Sequence, residues 1–150
     1  MNQDIRELYQ ELILDHGRKP RNFRTIEDNA STADGYNPLC GDRCTVYTRV
    51  EEGNVTDIAF QGKGCAISQA SASLMTQAVK GLTTDQASHL FEIFQRMIKD
   101  NVSDSELEEL GKLAALAGVK EFPSRVKCAS LPWHTLMAAL NNTSEPVTTE

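Results

Sequence analysis

Near residue 65 the period of the apolar residues changes from that of strands to that of helices, and this change restricts the fold to one class. Between Thr45 and Gln61, apolar and polar residues alternate in two runs separated by the turn-like segment 51–54, as in a β-hairpin. A weaker strand signal at residues 29–33 brings the predicted sheet to three strands. Beyond residue 65, apolar residues recur every three or four positions, as on one face of an α-helix. Strands followed by a run of helices predict an α+β domain.

Local signals place the individual helices. Thr83 with Gln86, and Ser103 with Glu106, have the spacing of a capping box, which predicts a helix start. The last helix is predicted to follow the third of three cysteine motifs, the one at Cys128, with Pro132 in its first turn. The predicted helices cover about residues 5–17, 66–80, 83–98, 103–116 and 129–140.

Length and charge narrow the class of protein further. The 150 residues suffice for one domain, predicted at 1–141 and followed by a polar, disordered tail at 142–150. The formal net charge of −6 argues against binding to nucleic acid or to an anionic membrane, because both need a basic surface. The sequence has neither an apolar signal-peptide core nor a membrane-spanning run. We therefore expect a cytoplasmic protein whose cysteines are reduced.

The first cysteine motif pairs a thiol with a carboxylate. Cys40 and Asp42 are separated by Gly41, which allows the backbone to turn so that both side chains can approach one point. Thiolate sulfur and carboxylate oxygen are both ligands of Zn²⁺. Taken alone, the motif is better explained by a simple turn, in which Asp42 bonds a backbone N–H and Cys40 is a small buried apolar group.

Two further cysteines are each predicted at the start of a helix. Cys65 follows a Gly-Lys-Gly segment, where the helix dipole and Lys63 would lower the pKa of its thiol. Cys128 follows Arg125 and Lys127. The alternative for each is a cysteine of the apolar core, with the glycines serving only the turn and the cations solvated.

Taken together, the cysteine motifs predict one metal site. Four cations, Arg43, Lys63, Arg125 and Lys127, lie within three residues of a cysteine, although the chain as a whole is acidic. Three thiolates and the carboxylate of Asp42 around a divalent cation would leave a net negative charge, which nearby cations offset. The predicted ligands are Cys40, Asp42, Cys65 and Cys128.

The remaining candidates have weaker signals. Cys44 is interpreted as a spectator beside a strand start. His16, His89 and His134 lie on predicted helices, and a surface or capping role is expected for each. Trp133 is the single tryptophan and is expected in the core or against a partner.

Five short motifs of the chain match those of a known family. They are DHGRKPRN at 15–22, NPLCGDR at 37–43, GKGCAIS at 62–68, ASAS at 70–73 and RVKCA at 125–129. On these motifs, residues 4–141 resemble the IscU/NifU family of sulfur-acceptor and iron–sulfur scaffold proteins, and its SufU branch in particular. The IscU branch has a histidine directly before the third cysteine, where this chain has Lys127. The segment between Cys65 and Cys128 is also longer here than in the IscU branch.

The resemblance implies a fold and a function. The implied fold is a small antiparallel three-stranded sheet with helices packed on one face. The implied function is that of a zinc-dependent sulfurtransferase in iron–sulfur cluster biogenesis, with Zn²⁺ held by Cys40, Asp42, Cys65 and Cys128. Cys40 would accept persulfide sulfur as co-substrate of a PLP-dependent, SufS-type cysteine desulfurase, and downstream cluster-assembly machinery would receive it.

Residue chemistry adds a mechanism and leaves two other functions open. A zinc-bound thiolate is a weak nucleophile, so Cys40, on its glycine-flanked loop, is expected to leave the metal before it reacts. Arg125 is the candidate for stabilising the freed thiolate, and a simple surface cation is the alternative. The second function is a scaffold that holds a transient iron–sulfur cluster on the same ligands. The third is a non-catalytic, zinc-stabilised binding module that regulates a partner.

Overall fold

Five α-helices, one 3₁₀ helix and four strands make up the part of the chain that the structure, a computed structural model, describes: residues 3–38, 40–142 and 147–148. None of the helices in that part combines the length and the apolar character needed to cross a bilayer. The α+β class predicted from the sequence is confirmed. In chain order the elements are α1 (Gln3–Arg18), β1 (Ser31–Asn37), β2 (Asp42–Glu51), β3 (Asn54–Lys63), α2 (Ala66–Val79), α3 (Thr84–Lys99), α4 (Asp104–Leu110), the 3₁₀ helix (Gly111–Glu121), α5 (Pro123–Leu140) and β4 (Val147–Thr148).

The described sheet has four strands in the order β3-β2-β1-β4, where three were predicted. β1 and β2, and β2 and β3, pair antiparallel as expected. β4 is the additional strand, and it pairs parallel to β1 through Gly35 with Val147 and Tyr36 with Thr148. A two-residue strand is too short to show an alternating pattern, and it lies within the predicted disordered tail 142–150. The rest of that tail, at 143–146 and 149–150, lies outside the described residues.

Helices α2 and α5 pack against the face of the sheet that the alternation of β2 buries. α5 contacts β1 and β2, and α2 contacts β3. On β2, Cys44, Val46 and Thr48 face this layer and are buried. Trp133 of α5 is fully buried, and its ring stacks on that of Phe94 with 4.8 Å between centroids. The prediction of a core role for Trp133 is confirmed, and the packing fixes α5 across the sheet.

The prediction for the start of the last helix was wrong. α5 begins at Pro123 rather than after Cys128, so Cys128 is inside the helix and Pro132 lies well beyond the first turn. Pro123 is well suited to the first position of a helix, where its missing N–H is not needed. Pro132 has no N–H to donate to the carbonyl of Cys128. Pro132 and Trp133 are both buried, so this part of α5 is held by its packing in the core.

His16 near the end of α1 is buried, so the surface role expected for it is wrong. His16 is 2% exposed, and its Nδ1 lies 2.7 Å from Oγ of Ser73 on α2. The same Oγ accepts the backbone N–H of Arg21 at 2.8 Å. Leu8, Leu12 and His16 are four positions apart and share one side of α1, and burial increases along it from Leu8, 61% exposed, to His16.

The buried His16 predicts a loss of stability in mild acid. Burial, assisted by the charge of Arg21, lowers the pKa of His16 below its usual 6.5. The unfolded chain therefore binds this proton first, and the free energy of unfolding falls as the pH drops through 6.5. The slope for one proton is at most about 1.4 kcal/mol per pH unit. Urea unfolding from about pH 7.5 to about pH 5.5 should show a smaller loss for His16→Gln, which can still bond Ser73 but does not titrate. Parallel slopes for both proteins would contradict this.

Candidate functional site

Four elements converge at one end of the sheet and bring the predicted ligands there. Cys40 lies in the turn between β1 and β2, and Asp42 is the first residue of β2. Gly41, between them, has a φ of +78°, which glycine adopts without strain, and its N–H donates to the carbonyl of Asn37 at 2.8 Å. Cys65 is the N-cap of α2, and Cys128 comes from α5.

Three of the four predicted ligands form a compact group. The ligand atoms of Cys40, Asp42 and Cys128 lie within 4.8 Å of one another, and the two sulfurs are 3.7 Å apart. Cys65 is not within that limit of all three, but its Sγ lies 3.8 Å from Oδ2 of Asp42. Its backbone N–H donates to Oδ1 of Asp42 at 3.0 Å. The carboxylate of Asp42 therefore links the group to the N-terminus of α2.

The three thiols of the site differ in how firmly they are held. Cys40 is exposed, Cys65 is half-buried and Cys128 is buried. Sγ of Cys65 accepts the N–H of Ser68 at 3.5 Å, in the capping geometry of a helix start. Sγ of Cys128 donates to the carbonyl of Ser124 at 3.5 Å within α5. Cys40 is thus the member of the site that an incoming group can reach.

The glycines before Cys65 serve more than the turn expected from the sequence. A Cβ on Gly64 would lie 2.6 Å from Oδ1 of Asp42, so a side chain there would displace the carboxylate. A Cβ on Gly62 would lie 2.2 Å from the carbonyl oxygen of Arg43 on the neighbouring strand. Gly62 therefore allows β3 to approach β2 closely, and Gly64 leaves room for the carboxylate of Asp42. Their contacts across the sheet had no signal in the sequence.

Burial and charge act on the thiols in different ways. Burial raises the pKa of the Cys128 thiol, and the hydrogen bond to the carboxylate of Asp42 raises that pKa further. The pKa of Arg125 is raised by the charges of Cys65 and Cys128 and by hydrogen bonds to both sulfurs. The guanidinium of Arg125 therefore lies beside these two sulfurs. Cys44 is outside the group, and burial raises its pKa to about 12. The interpretation of Cys44 as a spectator agrees with these properties.

Lys127 does not face the thiol group. It lines a separate cleft together with Lys99 and His134. Successive residues of an α-helix point about 100° apart, so Lys127 and Cys128 project from different sides of α5. None of the histidines belongs to the compact ligand group found in the described part of the chain.

The fold and the site together define a class: an α+β domain that holds three thiols and a carboxylate where one sheet end meets two helices. The chain belongs to the family described as NifU-like N terminal domain, which matches residues 8–129. The resemblance read from the sequence motifs is confirmed.

Named relatives span nearly the whole chain. The zinc-dependent sulfurtransferase SufU of Bacillus subtilis (strain 168) is 41% identical over 135 residues, which are 90% of each chain. The iron-sulfur cluster assembly scaffold protein IscU of Streptococcus pyogenes serotype M1 is 36% identical over 140 residues, 93% of this chain and 87% of the relative. A crystal structure of a candidate iron-sulfur cluster assembly scaffold protein for the SUF system, from Fervidobacterium islandicum AW-1, superposes with a TM-score of 0.81 at 33% identity. The superposition covers 89% of this chain and 97% of the chain in that structure.

Proposed function

We propose that this chain is a zinc-dependent sulfur-transfer protein of iron–sulfur cluster biogenesis. In this role it accepts persulfide sulfur on Cys40 from a PLP-dependent cysteine desulfurase. The observation that carries the proposal is the contrast within the thiol group: Cys40 is exposed, yet its sulfur lies 3.7 Å from that of the buried Cys128. The name of the 41% identical Bacillus subtilis relative supports both the zinc and the transfer.

The donor set suits Zn²⁺. Three sulfurs and one carboxylate oxygen are ligands of tetrahedral zinc sites, and Cys40, Asp42, Cys65 and Cys128 would hold the ion. Bound Zn²⁺ would keep the thiols ionised at neutral pH. Arg125 would offset part of the remaining negative charge, because its guanidinium lies beside two of the sulfurs.

The transfer step follows from the exposure of Cys40. Its thiolate attacks the outer sulfur of a cysteine persulfide on the desulfurase, the sulfur–sulfur bond of the donor breaks, and the donor cysteine leaves as a thiolate. Cys40 then carries the persulfide with its proton, so atoms and electrons balance without a further reagent. Cys65 stays at the N-terminus of α2 and Cys128 stays inside α5.

Arg125 is a positioning residue for this step. Its side chain is exposed and its guanidinium can stabilise a thiolate among the site sulfurs. We expect Arg125→Ala to slow sulfur transfer about tenfold, since a hydrogen bond to a charged group contributes about 1.5 kcal/mol. The check is alanine formation by the desulfurase together with the zinc content of the variant. A normal transfer rate with zinc retained would show that Arg125 is only a surface cation.

The direct test of the function uses the purified chain with a cysteine desulfurase and cysteine. We expect the chain to accelerate alanine formation, and mass spectrometry should find one additional sulfur atom on the peptide that contains Cys40. Metal analysis of the same preparation should give zinc without absorbance in the visible region. An unchanged desulfurase rate with no sulfur on Cys40 would overturn the proposal.

A scaffold role is the second candidate, favoured by the name of the Streptococcus pyogenes relative. Iron–sulfur clusters are built mainly on cysteine thiolates, which this site offers. A coloured cluster on the purified chain, lost when Cys65 or Cys128 is replaced, would favour the scaffold. The orientation of Lys127 away from the thiols offers no additional ligand for such a cluster.

A further inference from the structure

Two exposed cations at the cysteine end of the sheet lie where their charges repel. Arg43 of β2 and Lys63 of β3 are directly opposite each other in the strand register. Like charges in that arrangement destabilise a sheet. The guanidinium of Arg43 rests over the ring of Tyr36, 5.2 Å from its centroid, and neither cation forms an ion pair with a carboxylate in the described residues.

The pair of unpaired cations is unusual for a chain in which acidic residues outnumber basic ones. The sequence has 21 acidic and 15 basic residues, so carboxylates to pair with Arg43 and Lys63 are plentiful. Arg24 and Arg96, for example, each form an ion pair with an acidic residue. At the start of β2, Arg43 alternates with the buried Asp42 and Cys44, so its side chain and that of Lys63 lie on the solvent face of the sheet, opposite the helices. Their positive charge faces outward at the strand end that leads into the Cys40 turn. Such a surface complements an acidic one.

An exposed aromatic ring borders the same site from α5. Phe122 is 60% exposed and directly precedes the helix, and its carbonyl accepts the N–H of Arg125 at 2.8 Å. Residues three apart on a helical turn are neighbours, so Phe122 stands beside Arg125, whose guanidinium reaches the sulfurs of Cys65 and Cys128. Exposed aromatic rings of this kind are enriched among the residues that dominate protein–protein binding.

We propose that Arg43, Lys63 and Phe122 form a docking rim for the protein that delivers the persulfide, an inference that rests on the proposed sulfur transfer. A persulfide bound to a protein must come within bonding distance of Cys40, so the surface around it must meet the surroundings of Cys40. The two unpaired cations predict acidic residues around the donor cysteine. The ring of Phe122 predicts an apolar recess beside them.

The test is a direct titration of the zinc-loaded chain into a PLP-dependent cysteine desulfurase from the same organism, without cysteine. We expect Phe122→Ala, and the double variant Arg43→Gln with Lys63→Gln, each to raise Kd about tenfold. Salt should weaken binding of the unaltered chain more than binding of the double variant, because the two charges are exposed and screened.

Matched controls separate docking from general effects. Leu8 is 61% exposed on α1, so Leu8→Ala removes an equally exposed apolar side chain elsewhere. Lys80→Gln with Lys112→Gln removes two positive charges that line a different cleft, at the end of α2 opposite Cys65. Both double variants take the formal net charge from −6 to −8. Both controls should keep Kd within about twofold of the original.

The outcomes distinguish the docking rim from its alternatives. An unchanged Kd for both rim variants would overturn it. The double variant Arg43→Gln with Lys63→Gln could instead lose zinc while its Kd stays unchanged. That result would also overturn the docking rim, and it would show that the two cations neutralise the charge of the metal site. The proposed sulfur transfer fails on a different result, full stimulation of the desulfurase by Cys40→Ala, which does not depend on Kd.

Discussion

Replacing Cys40 by alanine should reduce sulfur transfer at least about a hundredfold while the domain stays folded, because the variant loses the proposed nucleophile. Cys40 is exposed, whereas Cys128 is 2% exposed and held within α5. Cys65 is half-buried at a helix N-terminus. No other thiol of the site can therefore reach a donor as Cys40 can. The measurement is alanine formation by a cysteine desulfurase in the presence of each variant.

The same assay contains its own control in Cys44→Ala. Cys44 is buried on β2 and lies outside the ligand group, so its removal should leave the stimulation intact. The fold of Cys40→Ala should persist because the turn is held by a backbone bond from Gly41 to Asn37. Full stimulation by Cys40→Ala would refute the acceptor role and favour a non-catalytic, zinc-stabilised binding module.

Local signals in the sequence were sufficient for most elements of this fold. The capping boxes at Thr83 and Ser103 are present with both of their reciprocal bonds, because a cap involves only residues within one turn. The hairpin of β2 and β3 follows from the alternation and the turn between them. Such features depend on neighbours along the chain, so a single sequence carries them.

Features that depend on distant contacts were not predictable in this way. β4 exists through two pairs with β1, and the burial of His16 depends on Ser73 of another helix. The predicted start of α5 was wrong because Phe122, its N-cap residue, makes no side-chain capping bond, so the capping signal that marks α3 and α4 is missing there. In the site, 88 residues separate Cys40 from Cys128, and no spacing rule links them. The family motifs, rather than the spacing, indicated that these residues belong to one site.

Gly62 offers the sharpest test of how the sheet supports that site. A Cβ at Gly62 would lie 2.2 Å from the carbonyl oxygen of Arg43 and 3.0 Å from Cα of Cys44, both backbone atoms of the paired strand β2. A backbone atom cannot rotate away as a side chain can, so the strands must separate. We expect Gly62→Ala to lower the free energy of unfolding by about 3 kcal/mol, measured by urea unfolding.

The consequence for the site follows from the same clash. Arg43 directly follows Asp42, and Gly62 lies three residues before Cys65, so separation of the strands should pull two proposed ligands apart and lower zinc retention. Gly118→Ala is the control, because a Cβ there meets no atom within 4 Å, and its stability should change by no more than about 0.5 kcal/mol. Equal stability and zinc content for the two variants would show that the close approach of β2 and β3 is not required. A loss confined to Gly62→Ala would instead make this glycine part of the metal site's construction, although it contributes no ligand.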